Sequence, residues 1–371
     1  MLKVAIVGCG KIADSHVSQI QRLKGCEIVG VCDREELMAR QLAERFRIPR
    51  FFVDLPTLAH DTHPDVVHIT TPPQSHYALA KWCLENGCHV YVEKPFTLYG
   101  SEADDLIALA EARHLRLTAG HDDQFRHAAR RMRQLVCEGY LGGPPVHMES
   151  YYCYDLDVTG AYAGALLGDK DHWVRKLPGQ LLHNIISHGI ARIAEFLPTD
   201  SPRVIAHGFV SPILTQVGET EIIDELRVII SDDRAVTAYF TVSSQMRPSL
   251  HQFRLYGVRN GLLLDQDNET LVRLRGQRFK SYAEHFLSPL ILAGQYAGNT
   301  STNVKKFLAR DFHFKSGMKY LIESFYRSIV EGAPLPISYR EIALTARIME
   351  DIFEQIRGAQ SFAHAMPRRL V

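Results

Sequence analysis

Three groups of residues in this chain have the types and spacing that chemistry requires. Glu93-Lys94-Pro95 follows Gly87-Cys88-His89-Val90-Tyr91-Val92, an apolar run that reads as a short buried strand. A lysine at the carboxyl end of such a strand stands where open α/β sheets bind ligands. Pro95 fixes φ and removes a backbone donor, so the chain must turn there, and the ammonium is presented as a catalytic one would be. Upstream, Val4-Ala5-Ile6-Val7 leads into Gly8-Cys9-Gly10-Lys11-Ile12-Ala13, a G-x-G-x-x-A loop. Gly8 allows the tight turn and Gly10 lets the backbone approach a pyrophosphate. Ala13 permits close helix–strand packing, and the helix that follows points its N-terminus at the phosphates. The third group is Asn184 and His188 within Gly179-Gln180-Leu181-Leu182-His183-Asn184-Ile185-Ile186-Ser187-His188. A spacing of four puts both on one face of a helix that is otherwise apolar, where each polar side chain carries a burial cost. His183 lies on another side and reads as structural.

Elements must hold these groups in place. Glu27-Ile28-Val29-Gly30-Val31-Cys32 reads as a second strand ending in Asp33, about 20 residues beyond Ala13, where a ribose-binding acid belongs. Its carboxylate would accept the adenosine ribose hydroxyls and repel a 2′-phosphate, so NAD is the expected cofactor. Arg34 beside it keeps NADP open. A strand at 65–70 ends in Thr71-Pro72-Pro73-Gln74-Ser75-His76, an extended turn on the ligand side, with His76 either touching the cofactor or serving as a local cap. Strands alternating with helices as far as Leu115–Ala119 spell a doubly wound parallel sheet. The expected cofactor contacts are Gly8, Gly10, Lys11, Ile12, Asp33, Arg34, Thr71, Pro72, His76, Glu93 and Lys94.

After Asp123 the pattern changes. A helix over 124–141 precedes a strand at 146–154 that carries Tyr151, Tyr152 and Tyr154. Further strands are expected near 204–210, 225–230, 235–243, 253–257, 261–265 and 270–274, with turns at Ser231-Asp232-Asp233 and Arg259-Asn260-Gly261. Long amphipathic helices follow at 316–331 and 340–357. The expected fold is a Rossmann doubly wound parallel sheet over 1–123 and an α+β domain with a large, mostly antiparallel open sheet over 124–371. Segments 155–178 and 277–313 read as irregular loops for substrate or subunit contact.

Composition narrows the class. Lys+Arg and Asp+Glu balance at 42 each, which gives no support for nucleic-acid or membrane-surface binding. No stretch approaches a membrane span. The N-terminus runs straight into the glycine loop and leaves no room for a signal peptide, so a cytoplasmic location is expected. The seven cysteines show no CxxC pair and read as reduced, mostly buried thiols, with Cys9 as a redox nucleophile the minor alternative. The histidines show neither HExxH nor structural-zinc spacing, so no metal is expected.

Taken together, these motifs resemble the glucose–fructose oxidoreductase / inositol dehydrogenase / MocA family of NAD(P)-dependent oxidoreductases. The residues that carry the likeness are Gly8 to Ala13, Asp33, Thr71-Pro72-Pro73 with His76, Glu93-Lys94-Pro95 and Gly179 to His188. Trp173 and Glu331-Gly332-Ala333-Pro334 add to it. The resemblance implies oxidation of a secondary alcohol of a sugar, glycoside, nucleotide sugar or cyclitol, or the reverse reaction. It implies Lys94 as the catalytic lysine, His188 as general base and Asn184 as a third member that orients substrate. It also implies a homodimer or homotetramer built through the C-terminal sheet. Three departures stand out. Asn184 replaces the usual Asp and cannot take a proton at neutral pH. Gly179-Gln180 replaces a double glycine, and Gln124-Phe125 replaces Arg-Phe. Tyr151, Tyr152, Tyr154, Trp173 and Arg175 are candidate sugar contacts. Alternatives are an NADP-linked ketosugar reductase and a catalytically silent NAD-dependent sensor.

Overall fold

The structure, a computed structural model, describes residues 1–156, 160–232, 236–276, 279–280, 282–312 and 315–365. The chain forms two compact units: Met1–Phe125 with Phe314–Ala346, and Arg126–His313 with Arg347–Val371.

Six parallel strands build the first unit: β1 (Leu2–Val7), β2 (Cys26–Cys32), β3 (Phe51–Phe52), β4 (Val66–Ile69), β5 (His89–Val92) and β6 (Leu117–Ala119). Their order is β3-β2-β1-β4-β5-β6, the doubly wound Rossmann order with its switch point between β1 and β4. All four residues of β4 are buried, as expected of a strand covered on both faces. Every motif of the first third therefore leaves the carboxyl end of a strand. A boundary at 123/124 misassigns one segment. Helix Ser316–Val330 belongs to the first unit, because Met318, Leu321, Ile322 and Phe325, one helical face, are buried in its core.

The second unit holds β7 (His147–Cys153), β8 (Arg203–Phe209), β9 (Glu225–Ser231), β10 (Thr237–Ser243), β11 (Leu250–Tyr256), β12 (Asn260–Asp265) and β13 (Thr270–Arg275). The sheet order is β13-β12-β11-β7-β10-β9-β8. Neighbours run antiparallel except β7 and β10, which are parallel. Met148, Leu226, Val228, Ala238, Phe240 and Leu255 point into the core, the period of two that a half-covered sheet requires. Helix Ser187–Phe196 lies on this inner face, where the Ser150 hydroxyl donates to the Gly189 carbonyl at 3.0 Å. Gly189 is needed there: a Cβ would sit 2.3 Å from the Phe240 ring.

Several local expectations change. The predicted helix over 124–141 is a 3₁₀ turn, Asp122–Phe125, followed by a helix over His127–Cys137. Asn260-Gly261 opens β12 instead of forming the hairpin turn, and the Asn260 side chain donates to the Tyr140 carbonyl. Asp233 and Ala235 lie outside the described residues, as do Gln277, Arg278, Ser281 and His313. Segment 155–178 contains a helix, Ala161–Gly168, and a 3₁₀ turn, Trp173–Lys176. Segment 277–313, expected to be irregular, carries a 27-residue helix, Tyr282–Leu308. Two of its amides bond the backbone of edge strand β13. Gln295 accepts from Arg273 N–H at 2.8 Å and donates to Arg273 O at 3.1 Å. Asn299 accepts from Leu271 N–H at 3.2 Å and donates to Leu271 O at 3.0 Å. Among the described residues, no helix is long and apolar enough to cross a membrane.

Candidate active site

The glycine loop is built for close approach. Gly8 takes φ +95°, and its N–H donates to the Cys32 carbonyl at 2.8 Å. A Cβ there would stand 2.6 Å from the Thr71 nitrogen, so only glycine fits. Gly10 is extended and precedes helix Lys11–Ile20, and a Cβ on it would meet open space. That open space at a helix N-terminus suits a pyrophosphate. Asp33 braces the loop: its Oδ2 accepts from Cys9 N–H at 2.7 Å and its Oδ1 from Glu35 N–H at 3.0 Å. A carboxylate has about four acceptor positions, so two remain for ribose hydroxyls, and the site fits NAD. Lys11 and Arg34 are exposed beside it, and Ile12 is half-buried. The Cys9 thiol is buried, and burial followed by the Asp33 charge pushes its pKa up. It stays protonated, which removes the redox-nucleophile alternative.

The next strand end is tied to this loop. Thr70 Oγ1 donates to the Gly8 carbonyl at 2.6 Å, and the Ser75 hydroxyl donates to Thr71 Oγ1 at 2.7 Å. Pro72 is exposed. His76 was a candidate cofactor contact. Instead it is fully buried, with Nδ1 2.9 Å from Pro95 O and Nε2 2.9 Å from Thr71 O. Its ring joins the two strand-end loops and is closed off from solvent.

Lys94 leaves the end of β5 through a cis peptide to Pro95. It is half-buried. Burial draws its ammonium pKa down, the charges of Glu93 and Asp122 oppose this, and Lys315 draws it down further. Glu93 is buried at 5% exposure. Burial resists its charge, yet the His16 bond and the Lys94 charge prevail and hold the carboxyl at about 2. Glu93 Oε2 also accepts the Lys94 backbone N–H at 3.1 Å. Asp122 is pushed up to about 7, by burial first and then by the Asp123 charge. Sequence reasoning missed Asp122 and Asp123, although they directly follow a strand end on the ligand side. No spacing could have brought Lys315 to Lys94.

In the second unit, the expected Asn184–His188 helix is two helices, Gln180–Ile185 and Ser187–Phe196, interrupted at Ile186. His188 is buried and stacks on Tyr152 at 6.0 Å, while Asn184 is half-buried. His183 stacks on Phe353 at 4.6 Å, in keeping with a structural role. Gln180 adopts φ +46°, which explains a glycine preference at this place and leaves the glutamine strained. Of the tyrosines, Tyr152 faces His188. Tyr151 points to the opposite sheet face, where its hydroxyl donates to Glu149 at 3.0 Å and Arg254 covers its ring. The alternation of a strand forces this. Tyr154, just beyond β7, is half-buried. Trp173 packs on a small apolar cluster around Val174 and Leu181. Arg175 turns inward: Nε donates to Leu166 O at 2.8 Å and a terminal NH₂ group pairs with Glu219 at 2.6 Å. Its guanidinium is committed to the unit's interior.

Strand order, glycine loop and Asp33 together define an NAD-binding Rossmann domain. A family model described as an oxidoreductase family with an NAD-binding Rossmann fold (GFO/IDH/MocA) matches residues 2–121. Over that segment the chain is similar to the glucose–fructose oxidoreductase / inositol dehydrogenase / MocA family. It is 32% identical over 133 residues to UDP-N-acetylglucosamine 3-dehydrogenase of Acidithiobacillus ferrooxidans, which covers 36% of this chain and 41% of the relative. It is 33% identical over 144 residues to D-glucoside 3-dehydrogenase of Escherichia coli, which covers 38% of this chain and 40% of the relative. The match thus spans about two fifths of the length of these curated relatives. The solved structure of the Acidithiobacillus enzyme superposes with a TM-score of 0.72, covering 96% of this chain and 98% of that one at 20% identity, a likeness of fold.

Proposed function

We propose that this protein is an NAD-dependent dehydrogenase. It moves a hydride between nicotinamide and a secondary alcohol of a sugar, glycoside or nucleotide sugar. The observation that carries the reading is Lys94. It stands at the carboxyl end of β5, in the same unit as the open glycine loop, as a half-buried residue whose charge is countered by Glu93 and Asp122. The cofactor supplies the hydride acceptor; Gly8, Gly10, Asp33 and the turn at Thr71-Pro72 hold it. Lys94 hydrogen-bonds the substrate oxygen and stabilises the charge that develops there. His188 takes the hydroxyl proton, a task that suits an imidazole near neutrality. Asn184 orients the substrate and leaves the proton chemistry to Lys94 and His188. The names of the relatives, a UDP-N-acetylglucosamine 3-dehydrogenase and a D-glucoside 3-dehydrogenase, support oxidation of a ring hydroxyl.

The same reading includes a homo-oligomer built through the second unit's sheet. Ile205, Ile229 and Tyr239 lie in one row across β8, β9 and β10, exposed at 47%, 45% and 50%. Apolar side chains aligned in this way suit a second copy of the same surface.

A screen of sugars, glycosides and UDP-sugars with NAD, read as NADH absorbance, tests the function. Lys94→Ala and His188→Ala run alongside. Turnover that survives both substitutions sinks the proposed pair. NADH binding without turnover on any member of the panel favours the sensor reading.

A further inference from the structure

Behind Lys94 lies a line of buried polar groups that the proposed reaction does not use. His16 and His68 are both 0% exposed, and Tyr326 is 6% exposed. Glu93 Oε1 is 2.8 Å from His16 Nε2, His16 Nδ1 is 2.9 Å from His68 Nδ1, and His68 Nε2 is 2.8 Å from the Tyr326 hydroxyl. Tyr91 stacks on His68 at 4.6 Å and meets His16 edge-on at 5.1 Å, so packing fixes both rings. The groups come from helix Lys11–Ile20, β4, the end of β5 and helix Ser316–Val330, all within the first unit.

For neutral imidazoles, proton counting gives this line one direction. A neutral imidazole has one N–H and one lone pair. The ionised Glu93 can only accept, so His16 donates from Nε2 and its Nδ1 must accept. His68 then donates from Nδ1, and its Nε2 accepts the Tyr326 hydroxyl. Burial keeps His68 neutral in this arrangement. The line does not conduct protons toward Glu93. Shifting each proton one place would leave a phenolate on Tyr326, whose ionisation burial strongly opposes. It acts as a lock on tautomers.

We propose that His68 and Tyr326 are positioning residues for Lys94: through this one-way series of hydrogen bonds they fix the His16 proton on Nε2 and so hold the Glu93 carboxylate, charged and oriented, beside the lysine. The proposal rests on the assignment of Lys94 to the reaction. Without the lock, His16 can place its proton on Nδ1 and turn a lone pair toward Glu93. The carboxylate then loses its side-chain donor, keeping only the Lys94 backbone N–H, and Lys94 loses part of its countercharge. The other charged groups that act on Lys94, Asp122, Asp123 and Lys315, are left unchanged.

The test reads the protein itself by NMR. Nitrogen-15 histidine shifts report tautomers, and carbon-13 at lysine Cε reports the Lys94 titration, assigned with Lys94→Arg. In the native protein His16 is expected as the Nε2–H tautomer and His68 as the Nδ1–H tautomer between pH 6 and 8. His68→Leu should lower the Lys94 pKa by about one pH unit, a tenfold change in its protonation equilibrium. Tyr326→Phe should shift it in the same direction by less. His68→Gln should restore it, since an amide offers a donor to His16 and an acceptor to Tyr326. Lys81, paired with Asp105 elsewhere in the unit, should titrate unchanged in every variant. If His68→Leu fails to fold, Tyr326→Phe, which removes a single oxygen, carries the test. An Nδ1–H tautomer on His16 in the native protein overturns the proposal, as does an identical Lys94 titration in all folded variants. Failure of the Lys94 assignment is a separate result: turnover would survive Lys94→Ala while the NMR pattern stood.

Discussion

Replacing Glu93 by glutamine removes the charge from the strand-end cluster and nearly preserves its shape. Burial alone would raise this carboxyl, but His16 and Lys94 bring it to about 2 against the usual 4.5. At about 1.4 kcal/mol per pH unit, the ionised group contributes about 3 kcal/mol to folding. The folded pKa lies below the unfolded one. The contribution is therefore complete above about pH 4.5 and is lost as pH falls toward 2. Glutamine retains one acceptor oxygen for His16 or for the Lys94 N–H, so the expected loss in Glu93→Gln is about 2–3 kcal/mol at pH 7. Urea unfolding of both proteins, followed by circular dichroism at pH 7 and pH 3, measures it. The gap should shrink to about half or less at pH 3, because the native carboxylate is then losing its advantage. A gap of equal size at both pH values would show that shape and not charge is at work. No gap at pH 7 would refute the argument that the cluster holds Glu93 ionised.

Gly8→Ala and Gly10→Ala should separate folding from cofactor binding. Alanine at position 8 meets a backbone nitrogen in a left-handed conformation and should lower the melting temperature by several degrees. Alanine at position 10 should melt as the native protein does yet weaken NADH at least tenfold in a fluorescence titration, an outcome that equal NADH affinity would contradict. Arg175→Ala breaks a pair whose side chains are 7% and 10% exposed and should lose about 3 kcal/mol in chemical unfolding. A change within about 0.5 kcal/mol would return Arg175 to the list of possible sugar contacts. Gln180→Gly relieves a left-handed conformation at φ +46° and should raise stability by about 1 kcal/mol; a lower melting temperature would mean that the glutamine side chain contributes more than the strain removes.

The parts of this protein that could be read in advance are those fixed by local backbone chemistry. Gly8, Gly10 and Asp33 announce a strand, a turn and a second strand end, because each does its work within a few residues of its neighbours. The placement of Lys94 at a strand end was recognisable because Pro95 turns the chain just beyond β5. What could not be read depends on contacts between distant segments. Tyr326 meets His68 across 258 residues of sequence, and Lys315 acts on Lys94 from a segment that had been placed with the other unit. Arg175 looked like a sugar contact for want of any sign of Glu219. His76 looked like a cofactor contact because a histidine at a helix start gives no hint that two carbonyls await its ring nitrogens. Tyr151 and Tyr152 are adjacent in sequence, and only the strand's register decides which of them reaches His188.

The amides of Gln295 and Asn299 have a consequence for how this protein survives at high concentration. β13 is the last strand of its sheet, and an unpaired strand edge is a template on which another chain can add. Those two side chains, one helical turn apart, satisfy the β13 backbone as a counterfeit eighth strand would. The helix that carries them has none of its residues fully buried among those described, so polar bonds such as these, with Asn303 donating to the Asn268 carbonyl, tie it down in place of a buried face. A cell that lost both amides would keep the fold of the sheet but leave β13 open to chain-to-chain growth, the first step toward insoluble polymer.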